Sequence, residues 1–304
     1  MNACSPPCWP GLHPGDVLGA GMEGTVVDLG DALVAKVWHG RSREDLTALL
    51  TFGLGLGAAP IPFATAGAVE LLDLDGRLVT IERKVRGVRL SPGPRPAAEP
   101  AGAREARIIG DVLDGLKLAT DPRLGVLPAL PGEPPLETGA TFGQALARLA
   151  ERRFEASADS LRVCVRDIDR VMARLTGALS ALPDGPTRSL IHGDLIPGNI
   201  LVSDDTVSGV LDFGFLTMLG DPQFDAAIAA SIYDMYGTNA RQSEDRLSGY
   251  FVDRFSHDEH TYALYRGAYA VITHAVFGRD LSEGHFAWCV DMLHRADIRA
   301  ALSV

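Results

Sequence analysis

The hydrophobic and polar positions along the chain follow a strand-like period at first and a helical period after about residue 100. The apolar runs of the first part are residues 25–29, 32–38, 69–74 and 77–83. Gly30-Asp31 separates the first pair of runs and Asp75-Gly76 separates the second. Short apolar runs joined by such pairs are typical of β-hairpins. Between the hairpins, leucines at helical spacing predict a helix that begins near Arg43 and ends near Phe52.

A Pro-rich stretch at residues 91–102 separates this part from a mainly helical remainder. Helices are predicted at residues 106–118, 141–154 and 161–182, the last as one long amphipathic helix. Apolar strands return at residues 190–213, and helices then resume. We therefore predict an α+β fold with two lobes, a small β-rich lobe at residues 1–90 and a larger, mostly helical lobe at residues 91–304.

Composition and charge exclude several classes of partner. The 28 basic and 39 acidic side chains leave a net charge of −11, and no basic stripe is present, which disfavours a nucleic-acid partner. Residues 46–69 lack charge, but glycines and prolines interrupt them, so we predict no membrane span. No secretory signal is visible, and the four scattered cysteines predict reduced thiols in a cytoplasmic protein.

The glycines Gly19, Gly21 and Gly24, followed by Val26, fit the pattern G-x-G-x-x-G-x-V. Glycines at this spacing let the backbone fold closely over phosphate groups. A Walker loop would need a Gly-Lys-Ser/Thr ending, which is absent, and a dinucleotide fingerprint would need a helix directly afterwards. The predicted hairpin favours a kinase glycine loop, and a plain Gly-rich turn remains the alternative.

Lys36 is one of only three lysines and lies in an apolar strand, in the sequence Val-Ala-Lys-Val. A buried ammonium needs anionic partners to keep its charge. Nucleotide phosphates and a helix carboxylate would provide them, as in the V-A-I-K strand of kinases. We predict Glu44 as that carboxylate, with Asp45 as the second choice. The alternative is a surface lysine at the end of a strand.

The strongest motif is LIHGDLIPGNIL at residues 190–201, in which Asp194 and Asn199 are five positions apart. Asp212 follows thirteen residues after Asn199, within the sequence VLDFG. Phosphoryl transfer needs a carboxylate that orients and deprotonates the attacking hydroxyl, together with oxygen ligands for magnesium. Asp194 suits the first task, and Asn199 with Asp212 suits the second, because hard oxygen donors match Mg²⁺.

These motifs in this order, with Gly220-Asp221-Pro222 and Asp225 after them, resemble the aminoglycoside phosphotransferase family of small-molecule kinases. The resemblance covers about two thirds of the chain and implies a bilobal, protein-kinase-like fold. It implies that Asp194 is the catalytic base and that Asn199 and Asp212 hold Mg²⁺. It further implies that Lys36 meets the α- and β-phosphates of ATP, that Glu44 fixes Lys36, and that Asp225 is a buried acid that supports the catalytic loop.

The same resemblance implies a nucleotide-binding hinge after residue 79. The Glu82 carbonyl and the Lys84 N–H would bond the edge of adenine, with an uncertainty of about one position. The side chains that would line the adenine pocket are Val26, Ala35, Ile81, Leu201 and Leu211.

The expected activity is ATP- and Mg²⁺-dependent transfer of the γ-phosphate to a hydroxyl of a small molecule: an aminoglycoside, another antibiotic, a sugar or an amino alcohol. Only seven residues separate Gly214 from Pro222, which leaves no room for a long activation segment and disfavours a protein substrate. A protein Ser/Thr kinase-like enzyme and a non-catalytic pseudokinase remain the alternatives. We expect a monomer or weak homodimer, and a role in antibiotic resistance stays open.

The acceptor site in this family lies between the catalytic loop and the C-terminal helices, where acids attract polycationic aminoglycosides. The carboxylates available there are Asp234, Glu244, Asp245, Asp253, Asp258, Glu259, Glu283 and Asp291. Aromatic residues of the same region could equally stack on a sugar or a macrolide; they are Tyr233, Tyr236, Tyr250, Tyr262, Tyr265, Tyr269 and Phe286.

Overall fold

The computed structural model describes residues 15–20, 23–30, 32–91, 99–185 and 187–303. The first part contains β1 (Val17–Ala20), β2 (Gly24–Asp28), β3 (Leu33–Trp38), α1 (Arg43–Ala58), β4 (Ala64–Thr65), β5 (Ala68–Leu74), β6 (Arg77–Arg83) and β7 (Val88–Arg89). Five of these strands form an antiparallel sheet in the order β1-β2-β3-β6-β5. Both predicted hairpins are therefore present.

The two faces of this sheet have different roles because side chains alternate along each strand. Lys36 on β3 is paired with Val26 on β2 and with Thr80 on β6, so these three residues share one face. The opposite face carries a small apolar core made of Val27, Ala35, Val37, Val79 and Ile81. The register thus separates the apolar residues that stabilise the sheet from the polar residues that face the helix α1.

The helix α1 extends beyond its predicted end near Phe52 and reaches Ala58. It begins with a capping box in which the Ser42 side chain accepts the Asp45 N–H and the Asp45 side chain accepts the Ser42 N–H. A Cβ atom on Gly53 would lie only 3.1 Å from the Ala68 carbonyl oxygen. The glycine that was expected to end the helix instead lets it pack closely against β5.

The second part of the chain is mainly helical. Its elements are α2 (Ala103–Leu116), α3 (Phe142–Cys164), α4 (Ile168–Ala181), β8 (Ser189–Ile191), β9 (Ile200–Ser203), β10 (Thr206–Val210), β11 (Met218–Gly220), α5 (Pro222–Ile232), α6 (Ala240–Phe255), α7 (Glu259–Thr273), α8 (Gly284–His294) and α9 (Ala296–Leu302). Two small sheets, β4-β10-β9-β7 and β11-β8, lie on either side of the loop at residues 192–199. None of the helices in the described ranges is long and apolar enough to cross a membrane.

The helices α3 and α4 differ from the prediction of one helix ending near residue 154 and a second one covering 161–182. The structure continues α3 to Cys164 with a non-helical Ser157 (φ −151°) inside it, and α4 begins only at Ile168. The break falls at Val165, which is extended and fully buried (0% exposed). Both segments are amphipathic, so apolar spacing alone did not reveal the break.

The boundary between the lobes near residue 90 stays a prediction. The strands β4 and β7 belong to the first part by sequence, yet β4 pairs with β10 and β7 pairs with β9. The core also crosses the boundary, because Phe52 and Leu56 of α1 belong to the same apolar cluster as the C-terminal helices.

We expect Gly143→Ala to lower the free energy of unfolding by about 1–3 kcal/mol. A Cβ atom at this position would lie 2.0 Å from the Leu179 carbonyl oxygen, so α3 and α4 would have to separate. Gly177→Ala on α4 is the matched control, because nothing lies within 4 Å of its Cβ position, and we expect it to be neutral or slightly stabilising. Urea denaturation measures both, and equal stabilities would contradict the close approach.

Candidate active site

The catalytic loop, residues 192–199, is held by one buried carboxylate. Asp225 in the first turn of α5 accepts the backbone N–H groups of His192 (2.9 Å) and Gly193 (3.0 Å). Asp225 is only 2% exposed, so this carboxylate depends on these donors for its stability. The predicted role of Asp225 as a buried acid that supports the loop agrees with this geometry.

His192 links the catalytic loop to the segment that carries Asp212. Its Nε2 is 2.8 Å from the Leu211 carbonyl, and its Nδ1 is 3.2 Å from the Asp194 N–H. Only a neutral ring with the proton on Nε2 satisfies both contacts, and burial lowers the pKa of His192 accordingly. His192 is therefore a structural residue that sets the position of Asp194 relative to Asp212.

Asp194, Asn199 and Asp212 meet at one point of the cleft. The Asn199 Nδ2 donates to the Asp194 carbonyl (2.9 Å) and lies 3.5 Å from the Asp194 Oδ2, which leaves the Asn199 Oδ1 available to a cation. Asp212 adopts a left-handed conformation (φ 56°), and its side chain is 53% exposed. Burial, together with the charges of Asp212 and Glu23, raises the pKa of Asp194 to about 7.

Lys36 extends from β3 into the same cleft. Its Nζ lies 3.2 Å from Asp212 and 3.4 Å from Glu23, and it sits 4.1 Å from the centre of the Trp38 ring. Burial opposes the charged form, but the carboxylates of Asp212, Glu82 and Glu23 raise the pKa of Lys36 above its ordinary value. Lys36 is thus a buried amine with carboxylates beside it.

The structure does not bring Glu44 to Lys36. The capping box at the start of α1 places Glu44 in the first turn, where its side chain is exposed. Asp45, the second choice for the partner of Lys36, is itself part of the capping box. The residues of α1 that line the cavity beside Lys36 are Leu49, Phe52 and Gly53. The anions near Lys36 that the sequence analysis missed are Glu23 in the glycine motif and Glu82 on β6.

The strands β1 and β2, which flank the glycine motif, pair in antiparallel fashion, and Gly21 lies outside the described residues. Gly24 is required by packing, because a Cβ atom there would lie 2.3 Å from the Val37 carbonyl oxygen. A Cβ atom on Gly19 would have only the Arg89 guanidinium nearby, at 3.8 Å. Gly19 therefore leaves open space beside its backbone.

The residues predicted to line the adenine pocket divide into two groups. Val26 shares the face of Lys36, and Leu201 lies on the side of β9 opposite to Ile200 and Val202, which belong to the main core. Leu211 is half-buried beside Asp212. Ala35 and Ile81, in contrast, point into the small core on the other face of the sheet and cannot touch a nucleotide in the cleft. Ala35 and Ile81 are next to cleft residues in the sequence, but side chains alternate along a strand, so these two point away from the cleft.

The hinge residues also differ from their predicted roles. The Lys84 N–H donates to the Ala32 carbonyl (2.9 Å), and its Nζ pairs with Asp28 (2.7 Å), so this N–H is not available to adenine. Glu82 belongs to β6 and is paired with Val34, which engages its backbone in the sheet.

The sequence model described as the phosphotransferase enzyme family (APH) matches residues 17–265. Among curated proteins, this chain is 35% identical over 88 residues to Probable serine/threonine-protein kinase PknB of Bifidobacterium longum (strain NCC 2705). That match covers 29% of this chain and 12% of the curated protein, so the chain spans only a small part of that relative.

Solved structures with the same fold cover nearly the whole chain. The GDP and kanamycin complex of APH(2")-IIia is 19% identical, with a TM-score of 0.58 and 94% of each chain covered. The ADP-bound aminoglycoside phosphotransferase APH(2'')-Ib is 14% identical, with a TM-score of 0.55 and coverage of 92% of this chain and 95% of that one. The macrolide 2'-phosphotransferase MphH from Brachybacterium faecium is 18% identical, with a TM-score of 0.52 and coverage of 93% and 94%. The predicted bilobal, kinase-like fold is confirmed.

We expect Asp225→Asn to lower the free energy of unfolding by about 1–3 kcal/mol, because an amide NH₂ would face one of the two backbone N–H donors. Hydrogen exchange of the His192 and Gly193 amides should become faster. Asp253→Asn, at an exposed position of α6, is the control and should leave both unchanged. Protection of these two amides at the wild-type level would contradict the role assigned to Asp225.

Proposed function

This chain belongs to the phosphotransferase enzyme family, and on that basis we propose that it transfers the γ-phosphate of ATP, with Mg²⁺, to a hydroxyl of a small molecule. The observation that carries the proposal is the position of Asp194. It is half-buried, it is oriented by Asn199, and it lies in the same cleft as Asp212 and Lys36.

Asp194 has the properties of a general base in this reaction. A pKa of about 7 allows the carboxylate to accept a proton near neutral pH. In the proposed step, the acceptor oxygen forms a bond to the γ-phosphorus while the bond from that phosphorus to ADP breaks. The hydroxyl proton moves to the Asp194 carboxylate.

The donor set of the cleft fits magnesium. Mg²⁺ is usually held by one or two carboxylates together with substrate phosphates, and Asp212 with the Asn199 Oδ1 supplies protein oxygens of that kind. In the described ranges, no group of three or more His, Cys, Asp or Glu side chains forms a separate metal site, which is consistent with a cation that depends on the nucleotide. When bound, Mg²⁺ would neutralise charge on the phosphates.

Lys36 and the glycine hairpin would bind the phosphates. Lys36 contacts the carboxylate of Glu23, whose side chain is 42% exposed. In the proposed complex a phosphate oxygen would take the position of this carboxylate. Phosphate oxygens would replace Glu23 on Lys36 and repel it towards Arg41, which it already contacts at 2.5 Å.

We expect Asp194→Asn to reduce phosphate transfer about 10²–10⁴-fold, because the variant cannot accept the hydroxyl proton. Nucleotide binding should persist, since Lys36, Asn199 and Asp212 are unchanged. A coupled ATP-consumption assay measures the first and nucleotide titration by calorimetry the second. Turnover of a confirmed acceptor at the wild-type rate would refute the base assignment.

The acceptor is best supported as a molecule with an apolar or sugar ring face. Three aromatic side chains from three loops, Phe215, Tyr236 and Phe277, are defined here as the aromatic wall. The Phe215 and Phe277 rings stack at 6.3 Å, and Tyr236 and Phe277 are 60% and 46% exposed. The Tyr236 hydroxyl lies 3.4 Å from the His285 Nδ1, and the His285 and Phe277 rings are 5.2 Å apart, so Tyr236 and Phe277 belong to one cluster.

Most carboxylates expected to attract a polycation have other partners. Glu244 is buried and pairs with Arg266 and Arg295, while Asp245 pairs with Arg241. Asp258 and Glu283 cap the helices α7 and α8, and Asp234 is only 1% exposed. The site therefore offers ring faces more readily than free negative charge, which favours an acceptor with little positive charge over a polycationic aminoglycoside.

A small acceptor is further supported by the short segment after Gly214, which leads into β11 within four residues. The partial match to a kinase named for serine and threonine nevertheless makes a protein acceptor the second candidate. A panel of macrolides, aminoglycosides, sugars, amino alcohols and a casein-like protein in the ATP-consumption assay separates these cases. Activity with the protein alone would favour the second candidate.

We expect Tyr236→Ala and Phe277→Ala each to raise the KM of the acceptor roughly three- to tenfold, because each removes an aromatic contact. The KM of ATP should stay at its wild-type value. Leu118→Ala, at a position 52% exposed after α2, is the control and should alter neither constant. An unchanged acceptor KM in both aromatic variants would place the acceptor elsewhere.

A further inference from the structure

We infer that Glu82 on β6 is the permanent counter-ion of Lys36 and positions it for the phosphates. The sequence had suggested a carboxylate on α1 for this role. The inference rests on the proposed function and concerns which residue holds Lys36 while nucleotide is bound.

Lys36 needs an anion that stays in place through the reaction. Its side chain is 9% exposed, and an ammonium with so little solvent is charged only beside negative groups. Its two direct partners, Glu23 and Asp212, are 42% and 53% exposed. Both would leave Lys36 in the proposed complex, because Asp212 is needed by Mg²⁺ and Glu23 would be repelled by phosphate.

Glu82 is half-buried, and a chain of hydrogen bonds holds it in the same cavity as Lys36. The Trp38 Nε1–H donates to the Thr80 hydroxyl (2.8 Å), which lies 2.7 Å from the Glu82 Oε1. Because the indole N–H can only donate, the Thr80 hydroxyl is free to donate to Glu82, and the carboxylate accepts. Glu82 and Lys36 line one cavity. Burial raises the pKa of Glu82, and the Lys36 ammonium opposes this shift by favouring the carboxylate.

The register of the sheet explains why Glu82 can do this. Thr80 is directly opposite Lys36, and Glu82 is two positions along the same strand, so all three side chains point to the same face. The helix α1 contributes Leu49, Phe52 and Gly53 to this cavity and no carboxylate among its described lining residues. The counter-ion therefore comes from the neighbouring strand.

The test is Glu82→Gln, which keeps the shape of the side chain and removes its charge. We expect kcat to fall about tenfold or more, because Lys36 loses the anion that holds it in position against the phosphates. The KM of the acceptor should not change. Glu82→Asp should restore part of kcat, and Thr80→Val, which frees the Glu82 carboxylate from its hydrogen bond, should give an intermediate loss.

The matched control is Glu70→Gln on the adjacent strand β5, where the side chain is exposed. It should retain the wild-type kcat. Thermal unfolding of all variants reports on folding, and if Glu82→Gln does not fold, Thr80→Val and Glu82→Asp carry the test.

A second readout requires neither turnover nor an acceptor. Titration calorimetry measures the binding of ATP with Mg²⁺ to the wild-type protein and to Glu82→Gln. We expect the Kd of ATP to rise severalfold in the variant, because Lys36 is no longer held in position for the phosphates. Glu70→Gln should leave this Kd unchanged.

The outcomes separate this inference from the proposed function. If the wild-type protein transfers phosphate to no acceptor, the proposed function fails, and the Kd of ATP in the two proteins still tests the pairing. If Glu82→Gln keeps both the wild-type kcat and the wild-type Kd of ATP, the inference is overturned while the function stands. Loss of activity in Glu44→Gln with none in Glu82→Gln would return the role to the helix.

Discussion

The cleft is organised by the need to keep one buried ammonium charged. Lys36 lies among the carboxylates of Glu23, Glu82 and Asp212, which come from the glycine hairpin, the centre of the sheet and the segment after β10. Burial, together with the charges of Asp212 and Glu23, raises the pKa of Asp194, so two carboxylates beside the lysine also influence the predicted base.

The parts of the fold that depend on local chemistry could be predicted from the sequence. The two hairpins follow from apolar runs joined by glycine and aspartate, and the catalytic loop follows from the fixed spacing of Asp194 and Asn199. The limits of the helices could not be predicted in the same way. The end of α1 depends on the close approach of Gly53 to β5, and the break at Val165 depends on tertiary packing, neither of which is visible in periodicity.

The errors within the site have one common cause, which is the side of an element that a residue occupies. Glu44 is only eight positions from Lys36, but a capping box fixes the start of α1 and turns that carboxylate to solvent. Ala35 and Ile81 are next to cleft residues in the chain, and strand alternation points them into the small core. Glu82 was predicted for its backbone carbonyl, whereas its side chain is the part that reaches the cleft. The register that decides these cases forms only when β3 and β6 pair.

The anions around Lys36 differ in how easily each can leave. The side chains of Glu23 and Asp212 are 42% and 53% exposed and can regain water, so phosphate can replace them on Lys36 at little cost. The hydrogen bond from Thr80 holds Glu82 in place, so removing its charge would leave Lys36 only with anions that can exchange. A lysine with one fixed anion and two exchangeable ones can therefore stay charged and in place while its other partners change. This arrangement does not require α1 to move. Leu49 and Phe52 of that helix can therefore face Lys36 while the amine keeps the charge on which the proposed phosphate binding depends.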